Sequence, residues 1–378
     1  MEHMPQNFQI FAKPTGYRCN LSCDYCYYLE KEKLFASDPG PHMSDELLEE
    51  YIRQHIAACA GNNVSFSWHG GEPTLLGVDY FRRIVELQQR YCPAGAVITN
   101  GIQTNGTLIT EEWGQFLAKN RFSVGLSLDG PAEIHDVYRK SRQGQGTHEA
   151  AMRGYRCLVA HGVPVDILCV VNDVNVMYPL QVYRFFTSIG VKFLSFLPLV
   201  ELVQSDPVPS VSGRTVHPEA FGAFLCTIFD EWLARDVGVI KIQIIEEALR
   251  TAFHQDHSLC LFRPTCGDIP VLEHNGDIYA CDHFVEPEWR VGNIRRSELA
   301  EILASDRLRA FGEAKKSSLS AQCRSCEVLA MCNGECPKNR WVTVEGESEK
   351  LNYLCPGYML FFKHCQPFIR EVSQQWLP

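Results

Sequence analysis

The chain has 378 residues, 46% of them hydrophobic and 11% aromatic, and carries a net charge of −10. That is enough apolar material for a sizeable core, in one large α/β domain with an appendix or in two to three average domains. The acidic balance, with no Lys/Arg run, excludes a nucleic-acid partner or an anionic membrane surface, and no stretch reaches the roughly 18 apolar residues that cross a bilayer.

In chain order, MEHMPQNFQ lacks a basic segment followed by an apolar one, so no export signal is expected and the location reads as cytoplasmic. Six β-rich runs follow: FQIFAK from Phe8, VSFSWH from Val64, AVITNGIQT from Ala96, SVGLSL from Ser123, VDILCVV from Val165 and FLSFLPLV from Phe193. Helical periodicity fills the gaps between them. SDELLEEYIRQHIAACAG opens on Ser44 as an N-cap and closes at Gly61, and DYFRRIVELQQRY, TEEWGQFLAKN, THEAAMRGYRCLVAHG and YPLQVYRFFTSIG follow. Strands alternating with helices predict a parallel sheet with right-handed crossovers, either an open doubly wound sheet or a partial (β/α)6 barrel. Residues 201–217, ELVQSDPVPSVSGRTVH, have no period and read as a long loop. Helices are then expected over PEAFGAFLCTIFDEWLARDVG, IIEEALRTAFHQ and SELAEILASDRLRAFGEAKK, the last within a cysteine-punctuated C-terminal part. The boundary between the two parts is expected near residues 230–258.

Seventeen cysteines are the outlier. In a chain without an export signal thiols stay reduced, and clusters of them at short spacing point to metal. Cys19, Cys23 and Cys26 form C-x3-C-x2-C in CNLSCDYCYY. Cys260, Cys266, Cys281, Cys323, Cys326, Cys332, Cys336 and Cys355 make eight more, enough for two four-thiolate sites. Cys59, Cys92, Cys157, Cys169, Cys226 and Cys365 sit singly in apolar contexts and read as small buried hydrophobes. For the C-terminal eight, spacing alone leaves zinc and iron–sulfur level. The triplet favours iron–sulfur, because three thiolates on a cubane leave one iron open to a small chelating ligand.

C-x3-C-x2-C with Tyr25 before its last cysteine resembles the radical S-adenosylmethionine (radical SAM) signature. AKPTGYRCNLSCDYCYYLEKEKLF, WHGGEPTLLG, IQTNGTLIT and LSLDGPAEIHDVYRK together resemble one branch of it, the anaerobic sulfatase-maturating enzymes. The resemblance covers nearly the whole chain. It implies a partial (β/α)6 barrel over 1–230 and, over 231–378, a SPASM domain with a C-terminal helix that holds two auxiliary [4Fe-4S] clusters.

Carried over position by position, the resemblance gives Cys19, Cys23 and Cys26 the catalytic [4Fe-4S] cluster, whose open iron takes the amino and carboxylate groups of S-adenosyl-L-methionine. Gly70, Gly71, Glu72 and Pro73 match the motif that receives the methionine amino group; glycines bare their carbonyls and Glu72 adds an anionic acceptor. Ser127 and Arg139 would contact ribose and carboxylate, and Tyr25 the adenine. Cys260, Cys266, Cys281 and Cys336 would hold the first auxiliary cluster, and Cys323, Cys326, Cys332 and Cys355 the second. Asp282 matches the residue assigned as general base. Tyr28, His69 and Gln103 are expected to meet substrate, and many members of the group place Gln where His69 stands.

The implied activity is oxidation of a Cys or Ser in a sulfatase C/S-x-P-x-R segment to formylglycine, through Cβ hydrogen abstraction by a 5′-deoxyadenosyl radical. A monomer reduced by a flavodoxin or ferredoxin is expected. Three other readings stand beside it: a SPASM maturase that crosslinks or epimerises another ribosomal peptide, a non-catalytic zinc or iron–sulfur binding protein, and an electron carrier.

Overall fold

A computed structural model describes residues 8–35, 40, 42–59, 61–203 and 209–376. Part of the loop expected at 201–217 therefore lies outside the described residues. The strands are β1 (Phe11–Lys13), β2 (Asn63–Trp68), β3 (Val97–Thr104), β4 (Phe122–Ser127), β5 (Val165–Val171), β6 (Phe193–Pro198), β7 (Leu202–Val203), β8 (Ser210–Val211), β9 (Lys241–Ile242), β10 (Val271–Glu273), β11 (Asp277–Tyr279), β12 (Arg290–Asn293), β13 (Arg340–Val342) and β14 (Leu351–Asn352). The first six fall on the six predicted runs.

The chain forms two compact units, each made of several segments: residues 1–127, 136–165 and 267–312 in the first, and 128–135, 166–266 and 313–378 in the second. Residues 267–312 supply strands to the first unit. There β1, β2, β3 and β4 pair in parallel, as predicted. On the other side of β1, β10 pairs in parallel and continues antiparallel into β11 and β12.

The helices of the first unit are set by local chemistry. Helix α1 (Asp45–Ala58) starts where the Ser44 hydroxyl accepts from the Leu47 amide, and it buries Leu47, Leu48, Tyr51, Ile52 and Ile56. Helix α2 (Gly77–Tyr91) buries Phe81, Ile84 and Leu87, and α3 (Glu111–Lys119) is capped by Thr110. Along β2, Val64, Phe66 and Trp68 belong to the core with Tyr51 and Phe81, which puts Ser65, Ser67 and then His69 on the opposite face. Each fully buried aromatic contributes about 2–3 kcal/mol of transfer free energy. Helices α4 (Ala132–Tyr138) and α5 (His148–Ala160) follow.

In the second unit β5, β6 and β9 are parallel. Helices α6 (Pro179–Ser188), α7 (Pro218–Arg235) and α8 (Gln243–Ala252) match the predicted segments. The segment SELAEILASDRLRAFGEAKK, which belongs to the first unit as far as Gly312, is two helices, α9 (Leu299–Leu303) and α10 (Asp306–Ser317), because the Ser305 hydroxyl accepts from the Leu308 amide and starts a new one. After the short α11 (Ala321–Arg324) and α12 (Leu329–Cys332), α13 (Cys355–Trp376) closes the chain. It lies on α7 through two glycines: a Cβ on Gly222 would stand 2.6 Å from the Gly357 carbonyl oxygen.

Candidate active site

The three N-terminal cysteines stand on a loop just after β1. Backbone bonds from Ser22 to Lys140, Asp24 to Tyr138 and Cys26 to Cys23 hold it, and Arg142 Nε donates to the Cys19 carbonyl at 3.0 Å. Cys19 Sγ accepts from the Leu21 amide at 3.3 Å and from Asn105 Nδ2 at 3.7 Å. Burial, with Glu72 and the other two thiols nearby, pushes the Cys19 thiol up to about 12. Three neighbouring sulfurs, one already receiving N–H groups, fit a thiolate-held iron–sulfur cluster.

The GGEP turn is laced onto this loop. The amides of His69, Gly71 and Glu72 donate to the carbonyls of Ala12, Gly16 and Arg18, each at 2.7 Å. Gly71 is required by that approach, since a Cβ there would lie 1.8 Å from the Arg18 oxygen. Glu72 is buried, and its carboxylate accepts from Thr74 N at 3.0 Å, Thr74 Oγ1 at 2.5 Å, Thr104 Oγ1 at 2.7 Å and Asn105 N at 2.8 Å. Three of these bonds fall on Oε1 and one on Oε2, and through them Glu72 braces the ends of β2 and β3. Pro73 begins the single turn that follows.

Tyr25 lies edge-on to Tyr138 at 6.0 Å, with the Arg139 guanidinium 5.5 Å from its ring centroid. Gln103 Nε2 donates to Ser127 Oγ at 3.1 Å, so an expected substrate contact and an expected cofactor contact touch each other. His69 stacks on Phe11 at 4.0 Å and pairs with Ser67 Oγ at 2.9 Å. Burial pushes its pKa down to about 4, opposed by Asp282 and aided by Lys13, so the imidazole is neutral at pH 7.

Asp282 follows β11. Burial alone would raise its pKa, but the Lys13 ammonium, His283 and hydrogen bonds from Lys13 and Tyr27 hold it well below the usual carboxylate range. Tyr27 Oη donates to Asp282 Oδ2 at 2.6 Å, and Lys13 Nζ pairs with Oδ1. Tyr28, the expected substrate contact, is buried and donates to Glu273. Sequence reasoning missed Lys13, Tyr27 and Glu273. Lys13 ends its strand, where a lysine ordinarily reaches solvent, so its pattern gave no signal.

In the second unit Cys323, Cys326, Cys332 and Cys355 line one mostly apolar cavity with Leu329, Leu351 and Tyr358. Burial raises the thiol pKa values of Cys260, Cys266 and Cys336; Cys266 adds to this at Cys260, and Glu335 and then Cys260 add to it at Cys336. Two buried or half-buried cations, also missed, tie their loops. Lys315 donates to the carbonyls of Cys260 and Leu261 at 2.6 and 2.7 Å, and Arg340 to those of Gly334, Lys315, Asn333 and Glu335. Cys281 belongs to the first unit, directly before Asp282. Of the six single cysteines, Cys169 and Cys365 are buried as expected. Cys59, Cys92, Cys157 and Cys226 are only partly so, because each sits at a helix end or on a half-exposed helix face.

The comparisons with known proteins agree with this geometry. The model of the Radical SAM superfamily matches residues 14–186, and that of an iron–sulfur cluster-binding domain, SPASM, matches 266–327. A serine-type anaerobic sulfatase-maturating enzyme of Bacteroides thetaiotaomicron is 42% identical over 98% of this chain and 93% of its own length. The chain belongs to the anaerobic sulfatase-maturating enzyme family. A cysteine-type anaerobic sulfatase-maturating enzyme of Clostridium perfringens is 32% identical over 96% of this chain and 98% of its own. The solved structure of native anSMEcpe with bound AdoMet superposes with a TM-score of 0.88 at 31% identity, over 97% of this chain and 99% of that one. The fold is therefore the α/β radical SAM partial (β/α)6 barrel with a SPASM domain, and its cofactors are [4Fe-4S] clusters and S-adenosyl-L-methionine. As a sulfatase-maturating enzyme of radical SAM type, the chain is an oxidoreductase.

Proposed function

We propose that the chain oxidises a serine in a sulfatase C/S-x-P-x-R segment to Cα-formylglycine, and takes cysteine at the same position less readily. The observation that carries the site reading is the 2.6 Å bond from Tyr27, next to Cys26, to Asp282. It puts the radical-generating loop and a carboxylate in one place. When bound, the clusters and S-adenosylmethionine supply a 5′-deoxyadenosyl radical, which takes one Cβ hydrogen, and an acceptor for the electron that follows.

The chain's own residues do the rest. Cys19, Cys23 and Cys26 hold the catalytic cluster; Cys260, Cys266, Cys281 and Cys336 hold one auxiliary cluster, and Cys323, Cys326, Cys332 and Cys355 the other. The carbonyls of Gly70 and Gly71, with Pro73 closing the turn, seat the methionine amino group; Ser127 and Arg139 meet ribose and carboxylate, and Tyr25 lies against adenine. Asp282 takes the hydroxyl proton, so that loss of one hydrogen atom, one proton and one electron turns CH2OH into CHO. His69, Gln103 and Tyr28 wall the substrate.

What supports serine is the likeness of the chain to its relatives. The relative at 42% identity is serine-type and that at 32% cysteine-type. A flavodoxin or ferredoxin serves as donor to a monomeric enzyme. The test is anaerobic incubation with S-adenosylmethionine and paired Ser and Cys peptides, read by mass. Loss of two hydrogens from the Ser peptide, faster than conversion of the Cys peptide, is expected; conversion of the Cys peptide alone refutes the serine assignment.

A further inference from the structure

Lys13 ends β1 and pairs in register with Glu273 of β10. Its side chain is among the largest fully buried ones of the chain, at 1% exposure. An ammonium removed from water needs a counter-charge and further partners. It finds Asp282 at its tip and the face of the Tyr28 ring 3.1 Å away, while the Tyr28 hydroxyl is itself pinned by Glu273. The Asp282 carboxylate is consequently gripped on both oxygens, by the ammonium on Oδ1 and by the Tyr27 phenol on Oδ2. Two donors on two oxygens fix the rotation of the carboxylate as well as its place.

We propose that Lys13 is a positioning residue of the oxidation, anchored by Tyr28 and Glu273, that aims the Asp282 carboxylate at the substrate hydroxyl. This rests on the reading of Asp282 as the proton acceptor. Strand pairing makes the arrangement rigid. Lys13 and Glu273 are neighbours across a parallel ladder, and Asp282 lies just past β11, which pairs with β10. A side chain held on such a frame costs little reorganisation at the moment of proton transfer.

The reconstituted full-length enzyme tests it, with a Ser peptide and with formylglycine and 5′-deoxyadenosine both counted. Lys13→Met, of similar length and uncharged, is expected to lower the ratio of formylglycine to 5′-deoxyadenosine about tenfold or more, since small misplacements of a reacting group have large costs in rate. The loss should fall on kcat with KM little changed. The double variant Lys13→Met/Asp282→Asn should be no worse than Asp282→Asn alone, and Lys13→Arg should lose less than Lys13→Met. A Lys13→Met enzyme with the wild-type ratio overturns the proposal, as does a double variant in which the two losses multiply. If Lys13→Met binds less iron than wild type, Lys13→Arg decides at full iron: a lowered ratio supports the proposal and an unchanged one overturns it. Asp282→Asn at the wild-type rate would instead remove Asp282 from its role, and wild-type enzyme that makes no formylglycine would remove the functional reading itself.

Discussion

Replacing Gly71 by Ala asks whether the cluster loop and the GGEP turn are one mechanical piece. The added Cβ would stand 1.8 Å from the Arg18 oxygen, 2.3 Å from its carbonyl carbon and 2.8 Å from its nitrogen, whereas real Cβ contacts essentially never fall under 3.0 Å. The obstacle is backbone on every side, so the loop must retreat by more than an ångström. Retreat breaks the bonds from Gly71 N to Gly16 O and from Glu72 N to Arg18 O, each worth about 1 kcal/mol net. Cys19 follows Arg18 directly, and an ångström of misplacement costs about a hundredfold in rate. Gly70→Ala is the control: its Cβ would meet Thr15 Oγ1 at 2.3 Å, the end of a side chain that can rotate away. After anaerobic reconstitution, Gly71→Ala is expected to lose the catalytic cluster's iron or to form 5′-deoxyadenosine about a hundredfold more slowly, with Gly70→Ala much closer to wild type. Full iron and a rate within about threefold of wild type in Gly71→Ala, or equal damage from the two substitutions, would refute the reasoning.

Acid should destabilise the first unit through its neutral histidines. Burial pushes His55 down to about 3 and His69 to about 4. Both folded values lie below the unfolded one, so the unfolded chain takes the proton first; stability is full above about pH 6.5 and is lost as pH falls toward the folded values. Between pH 7 and pH 5 this amounts to about 2 kcal/mol for His55 and less for the part-exposed His69, read as a falling thermal midpoint, and His55→Phe should remove the larger share. Gly357→Ala would set a Cβ 2.2 Å from the Pro218 oxygen and push α13 off α7, costing about 1–3 kcal/mol, with Cys355 displaced and auxiliary iron lost; unaltered iron content and midpoint would count against it. Lys315→Met leaves the carbonyls of Cys260 and Leu261 without their cationic donor. Iron uptake by the reconstituted protein should fall while iron at the N-terminal triplet, followed by 5′-deoxyadenosine formation, persists.

Barrel strands β2 to β6 were legible because they lie in apolar runs of six or more residues, most of them bounded by Gly, Asn or Pro, and the three-residue β1 because the longer run FQIFAK surrounds it. Ser44 and Thr110 marked helix starts by the same logic that makes them caps. The strands β10 to β12 were not legible. At three to four residues they are shorter than any period can register, and their existence depends on β1 offering an edge far earlier in the chain. The break between α9 and α10 carried a signal, Ser305 before Asp306, that an unbroken helical period hid. The cysteine triplet announced its chemistry through spacing, but Lys13 did not. A lysine at a strand end is ordinarily a solvated one, and partners distant in sequence, Asp282 brought in by β10 and β11 and the Tyr28 ring, make its burial possible.

The cysteine loops carry little regular structure. Many of their carbonyls, those of Cys23, Cys26, Cys326 and Cys332 among them, accept from backbone amides of the same turn, and others are met by side chains. Some of these side-chain donors are neutral, Asn352 on Cys336 and Asn333 on Phe262, and others are cationic: Arg142 on Cys19, Lys315 on Cys260 and Leu261, and Arg340 on the turn at 333–335 between Cys332 and Cys336. Two of the cations answer a second demand, because burial pushes the Cys260 and Cys266 thiols up and so disfavours the thiolates that iron requires, while Lys315 acts the other way on both and Arg340 on Cys266. Lys315 sits in the field of Cys260, Cys266 and Cys336, which favours its charge although burial opposes it. Lys315 and Arg340 thus shape these loops and also compensate part of the charge that metal binding creates.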